Sequence, residues 1–333
     1  IKNQLPYRER TPTSKHFSET VLPRAKIMMM PTLETSDGEV IRDGAAIVEH
    51  FESASGHPST PTTPRQRILS RLFDVIGMEG LLRPAMHYRW NFDEENEAFL
   101  RFHFASIAPV GMDSDQIAAK GMGRMRGAAK AFGVTPETMP GIETRYLEFL
   151  ERLNKHFAAS PYLFGRRPSI GDFSLIAPMY GHLGRDPMPL SIMQAKAVNV
   201  FRWVERMNRP EPDIGEFSRD ADSSTDEEFD ADDHVHETLI SVLQHMATDF
   251  VPETVAAAEF INRWLEAQTD LAPGTMLERG VGLATFEVEG QAIHGLAQPY
   301  RFYLLNRVHE DFDAMSGEEQ LQVQDLLEQC GMR

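Results

Sequence analysis

Apolar residues return every three to four positions through the middle of the chain. Ile68, Leu72 and Ile76 lie four apart, and Tyr146, Leu150, Leu153 and Phe157 keep a helical spacing, as do Val200, Trp203, Val204 and Met207. That spacing gathers each set on one face and predicts helices. Before residue 55 the pattern changes. "PTLET" and "EVIRD" are short runs rich in Thr, Val, Ile and Leu, separated by Ser36-Asp37-Gly38. They read as two strands joined by a tight turn, because Asp and Gly both tolerate positive φ. Pro31 has no N–H to give a ladder and marks a strand start or a sheet edge. Asp43 precedes "GAAIVEHFE", with Ile47, Val48 and Phe51 as its apolar positions. Its carboxylate is expected to cap the bare amides of that helix. Further upstream, "NQLPYRERTP" reads as a helix tail and then a strand over residues 7–10. Residues 11–30 are expected to hold a short helix and an approach loop.

Residues 55–64, "SGHPSTPTTP", have no periodicity and read as a linker. Helices dominate beyond it. In "SPYLFGRRPSIGDFSLIAPMYGHLGRDP", Ser169 and Asp172 have the S-x-x-D spacing of a capping box ahead of an apolar run, a folding role rather than a catalytic one. From residue 236 the expectation is two helices, a β-hairpin and two more helices. "ATFEVEG" alternates Phe286 and Val288 with Glu287 and Glu289, as a half-exposed strand does. "PYRFYLLNRV" sets Tyr300, Tyr303, Leu304 and Arg307 at helical spacing. No internal repeat is evident.

A length of 333 residues allows about two domains. The net charge of −17 argues against nucleic acid and against an anionic membrane surface as partners. Much of it is local: residues 211–233 hold eleven Asp and Glu against one Arg. Low hydrophobicity and like charge make this stretch a solvated linker. A calcium loop is the sharper alternative, since Asp220, Asp222, Ser224, Asp226 and Glu228 alternate. Thr225 and Ala231, however, replace the loop glycine and the closing bidentate glutamate. His234 and His236, two apart ahead of a helical run, make no metal pair, and no metal is expected. One cysteine, Cys330, permits no internal disulfide framework and fits a reducing cytoplasm; a catalytic role for it is not expected. No apolar run approaches the ~18–20 residues needed to span a bilayer, and no secretory signal opens the sequence.

The segment from Met30 to Phe51 and the capping box together resemble glutathione transferases, in that order along the chain. In that family a cis-proline opens the third strand of a thioredoxin-like domain, and the residue before it offers its backbone to the cysteinyl part of glutathione. An acidic residue followed by serine takes the γ-glutamyl end. Met30-Pro31 and Asp43 match these positions. Gly44 stands where the family has serine, which removes a hydrogen bond worth about 1.5–3 kcal/mol but leaves the amides and helix dipole as an anion site. The capping box after "YLFGRRPS" resembles the one that opens the buried core helix of the family's helical domain.

The resemblance implies an α/β thioredoxin-like domain, incomplete as given, over 1–54. The linker 55–64 and an all-helical domain over 65–210 follow, then an acidic linker over 211–235 and an α-rich extension with a β-hairpin over 236–333. It implies glutathione as co-substrate, a small hydrophobic electrophile, a homodimer, and a thiol-activating residue upstream of Ile1. Lys15 and Lys26 are candidates for the glycyl carboxylate of glutathione, or solvated lysines. Met28 is a candidate for the electrophile pocket, or a gap filler. Within "MHYRWNF", Tyr88 and Trp90 are candidates for a donor and an apolar wall of that pocket, or for an aromatic core cluster. Two further readings stay open: a non-catalytic scaffold that binds a partner protein, and a glutathione-dependent lyase, isomerase or etherase.

Overall fold

The computed structural model describes residues 1–210, 216–217, 228–272 and 274–333. The described residues are mostly helical, with two small antiparallel sheets. A π-helical turn (Phe17–Val21) runs into the one-turn helix α1 (Leu22–Ala25). Strands β1 (Thr32–Glu34) and β2 (Val40–Arg42) pair with Leu33 opposite Ile41, and helix α2 (Gly44–Ala54) follows. The hairpin turn closes through Gly38 N–H to Thr35 O and Thr35 N–H to Glu39 O. Gly38 alone takes positive φ there (+88°), so Asp37 does not need the left-handed conformation allowed to it. Residues 7–10, expected as a strand, are irregular: the sheet beside them has two strands, and no described segment offers them a ladder.

The helical region comprises α3 (Pro64–Val75), α4 (Leu82–Trp90), α5 (Asp93–Ser106), α6 (Ser114–Ala128), α7 (Met139–Ala159), α8 (Ile170–Gly181), α9 (Pro187–Lys196) and α10 (Val198–Met207). A π-helical turn, Ile76–Gly80, joins α3 to α4. The helix spacings seen in the sequence mark the buried faces of α3, α7 and α10. Gly77 lets the π-helical turn and α8 approach closely, since a Cβ on it would sit 2.4 Å from the Ser174 carbonyl carbon. The linker is pinned at its centre: Glu52 accepts from the Ser59 amide, and Ser59 O accepts from Ile170 N–H.

Beyond the acidic stretch, one continuous helix, α11 (Glu237–Glu266), stands where two were expected. Pro252 lies inside it and removes one backbone bond. Buried residues on both sides of the proline, from Leu239 to Phe250 and then Ala257 and Ile261, keep the helix on one packed face. The hairpin β3 (Leu283–Val288) and β4 (Gln291–Leu296) then leads to α12 (Pro299–Asp313) and α13 (Gly317–Gln329). Ala284, Phe286 and Val288 are the buried positions of β3, as the alternation predicts. The 236–333 segment shares one core with the rest: Leu239, Leu243, Leu304, Val308 and Leu326 belong to the cluster that holds Phe73, Phe149 and Trp203. No helix among the described residues is long and apolar enough to cross a membrane.

Asp172 organises that core. Its carboxylate accepts from Ser169 N–H (2.8 Å), Ser169 Oγ (2.8 Å), Leu163 N–H (3.2 Å) and Trp203 Nε1 (3.0 Å), while Ser169 Oγ accepts from Asp172 N–H. Trp203 in turn stacks on Phe157 with centroids 4.9 Å apart. One buried acid therefore starts α8, fixes the preceding loop and ties α10 to both. Asp172→Ala leaves several buried donors without an acceptor and is expected to cost about 3–5 kcal/mol, against about 1–2 for Ser169→Ala. Urea unfolding of the two variants checks the order; equal losses would contradict it.

Candidate functional site

Three of the residues singled out in the sequence meet in space. The Met30–Pro31 peptide is cis, the form the resemblance implies. Pro31 O accepts from Asp43 N–H at 3.2 Å, and a Cβ on Gly44 would lie 3.9 Å from Pro31 Cγ and 3.1 Å from Met78 Cε. Asp43 itself has φ 80°, ψ 139°. An L-residue rarely adopts such a backbone, at a cost of about 1–3 kcal/mol, and such residues cluster at functional sites.

The expected cap is not formed: the Asp43 side chain makes no bond to the first turn of α2. Its Oδ1 instead accepts from the Tyr300 hydroxyl of α12 at 2.5 Å. With that side chain drawn away, no described residue accepts from the amides of Gly44, Ala45 or Ala46. The N-terminal end of α2 is left with bare donors and the positive end of its dipole.

Behind Asp43 lies a set of acids and arginines that the sequence reading did not collect. Arg307 of α12 bridges Glu49 on α2 (2.6 Å) and Asp74 on α3 (3.3 Å). The buried Asp74 also accepts from Ser174 Oγ of α8, and burial raises its carboxyl above the usual range. Glu79, in the π-helical turn beside Met78, is 5 % exposed, and its Oε2 has no hydrogen-bond donor among the described residues. Burial pushes it up to about 7, opposed by Arg301 and Arg279 and reinforced by Glu253 and Asp43. Burial, and then Asp43, likewise hold the Tyr300 hydroxyl far above its ordinary value, so it remains a donor. A cavity of about 10 Å³ lies between Glu79 and Gln298, and another of about 30 Å³ beside Tyr146 and Asp249.

The remaining candidates scatter. Met28 and Met30 are 59 % and 65 % exposed. Lys15 is exposed and 3.9 Å from Glu19, and Lys26 is exposed where α1 ends; no bond joins either to Pro31, Asp43 or Gly44 among the described residues. Tyr88 and Trp90 are packed away from solvent. Each is 2 % exposed, Tyr88 stacked on Phe92 and tilted against Tyr146, Trp90 packed on Phe104 in a separate cluster. The aromatic-core alternative describes them, because neighbouring helices supply the rings that close over both. The candidate calcium ligands Asp220, Asp222, Ser224 and Asp226 lie outside the described residues. His236 pairs with Asp230 at 3.0 Å, and no group of three or more metal-ligating side chains occurs among the described residues. Cys330 is buried, which pushes its thiol up to about 12.

Residues 136–206 match the family model described as Glutathione S-transferase, C-terminal domain. The match supports a glutathione S-transferase family assignment. It spans α7 to α10 and contains the capping box with its Trp203 bond. No curated protein and no solved structure matches the chain. The matched segment reaches the acids behind Asp43 through α8, where Ser174 Oγ donates to Asp74 of α3.

Glu79 gives the site a measurable pH signature. Its native value near 7 exceeds the ordinary 4.5, so the folded chain holds a proton there that the unfolded chain has lost. Its contribution to stability is complete below 4.5 and disappears as pH rises through about 7. Glu79→Gln is therefore expected to be more stable than the parent at pH 8, by on the order of 3 kcal/mol, and to differ much less at pH 5. Thermal unfolding at the two pH values reads the difference; a pH-independent effect would contradict it.

Proposed function

We propose that this glutathione S-transferase-like protein binds glutathione at the junction of Pro31 and α2 and transfers it to a small hydrophobic electrophile. One observation carries the reading: the Met30–Pro31 edge, the strained Asp43 and the bare amides of α2 are adjacent, on a chain with a transferase helical domain. The Met30 backbone aligns the cysteinyl peptide. Asp43 takes the γ-glutamyl ammonium, and the amides from Gly44 to Ala46 take the α-carboxylate through the helix dipole. Glutathione supplies a thiolate nucleophile once bound. The exposed Met28 offers an apolar contact to the electrophile, and Lys15 or Lys26 a cation to the glycyl end. The thioredoxin-like arrangement of residues 1–54, a cytoplasmic location and a homodimer belong to the same reading.

A second reading has its own support. Gly44 supplies no hydroxyl, and Tyr300 already bonds Asp43, which suits a scaffold that has given up the cofactor. Calorimetry separates the two. Under the transferase reading the full chain binds glutathione in the micromolar to low-millimolar range, and Asp43→Ala weakens it about ten- to a hundred-fold. Absence of any binding heat leaves the scaffold.

A further inference from the structure

We infer that Tyr300, from the C-terminal segment, is a positioning residue of the γ-glutamyl subsite: it holds the Asp43 carboxylate by Oδ1 and leaves Oδ2 to receive the ligand's ammonium. The inference rests on the glutathione reading above and adds a residue that lies 257 positions from Asp43 along the chain.

The argument begins with what Asp43 lacks. An N-cap aspartate normally fixes its own carboxylate on the amides of its helix. Asp43 does not: its side chain makes no bond to the first turn of α2. A carboxylate on a single free rotor would meet an ammonium at an entropic cost. The hydroxyl of Tyr300, at 2.5 Å, removes that freedom before a ligand arrives. Ionised carboxylates have about four acceptor positions, so one bond does not exhaust Asp43. Both residues are half-buried, so the pair is reachable from solvent.

Tyr300 is a fixed wall rather than a gate. Its ring stacks on Tyr303 with centroids 5.8 Å apart. One turn on, Leu304 is buried in the shared core, and Val308 follows it. Arg307 bonds Glu49 and Asp74, while Asp311 accepts from Arg67 (2.6 Å) and Arg71 (2.9 Å) of α3. Lifting Tyr300 off Asp43 with its helix would expose buried apolar surface and break these ion pairs together. Deleting the hydroxyl alone leaves every one of those anchors in place, so Tyr300→Phe keeps α12 seated.

Calorimetry on the full chain with two ligands provides the test: glutathione, and glutathione acetylated on its γ-glutamyl nitrogen, which has no ammonium. Tyr300→Phe is expected to weaken glutathione about ten-fold and to leave the acetylated ligand within about two-fold. In an Asp43→Asn background the same change should have no further effect, closing a double-mutant cycle. Tyr303→Phe, on the exposed ring of the stack, should alter neither ligand. Unchanged or tighter glutathione binding by Tyr300→Phe overturns the inference, the second outcome marking Tyr300 as a competitor. Equal weakening of both ligands also overturns it, since packing alone would do that. If the parent protein binds no glutathione, both the inference and the reading beneath it fall; binding by the parent with no response at Tyr300 removes only the inference.

Discussion

The ion pairs between α12 and the first two helices beside it hold the candidate site together. The hairpin β1–β2 contributes only three residues per strand, and a two-stranded ribbon of that length has little stability of its own. Helix α2 contacts α8, but its exposed flank carries Glu49, an acid that would add nothing if left in water. Arg307 and Arg71 both reach Glu49, and Arg307 continues to the buried Asp74. An arginine suits this place because its planar fork addresses two carboxylates at once and keeps its charge at any working pH. The C-terminal segment is thus part of the support for the N-terminal unit.

That arrangement has an electrostatic consequence. Burial raises the carboxyls of Asp74 and Glu79, and the charge of Asp43 adds to the effect on both. Arg307 offsets Asp74 directly, whereas Arg301 is engaged with Glu253 and reaches Glu79 only through space. Glu79 therefore holds its proton up to about pH 7, while Tyr300 gives its own hydrogen bond to Asp43. Mixed protonation of this kind is how neighbouring acids share a poorly solvated space, and the π-helical turn that carries Glu79 is a common departure from α-geometry at functional sites.

Local patterns in the sequence survived into the structure, and long-range ones could not be seen there. The faces of α3, α7 and α10 and the capping box at Ser169 depend on spacing within a few residues. So does the alternation of β3. The cap expected from Asp43 failed because its competitor, Tyr300, comes from a distant helix. Tyr88 and Trp90 were ambiguous because a pocket and a core are made of the same rings, and the deciding neighbours, Tyr146 and Phe104, lie on other helices. Two helices were expected ahead of the β-hairpin, yet apolar faces on both sides of Pro252 carry α11 through as one. Glu79 offered no signal, since an acid within Gly-Met-Glu-Gly looks like any surface turn.

Gly44 then becomes intelligible as part of a rebuilt corner rather than as a simple loss. The space a side chain would fill at residue 44 is taken by the Met78 methyl, 3.1 Å from where a Cβ would stand. Met78 comes from the same π-helical turn as Glu79, so the turn, the glycine and the acid are geometrically linked. Methionine is flexible enough to yield a few tenths of an ångström, and the close packing does not by itself forbid a ligand. Asp43 is bonded by a phenolic hydroxyl, that of Tyr300, on a helix held there by Arg307 and Asp311. The hydrogen bond at this corner comes from a residue distant in sequence, so the seating of α12 and the geometry of Asp43 depend on each other.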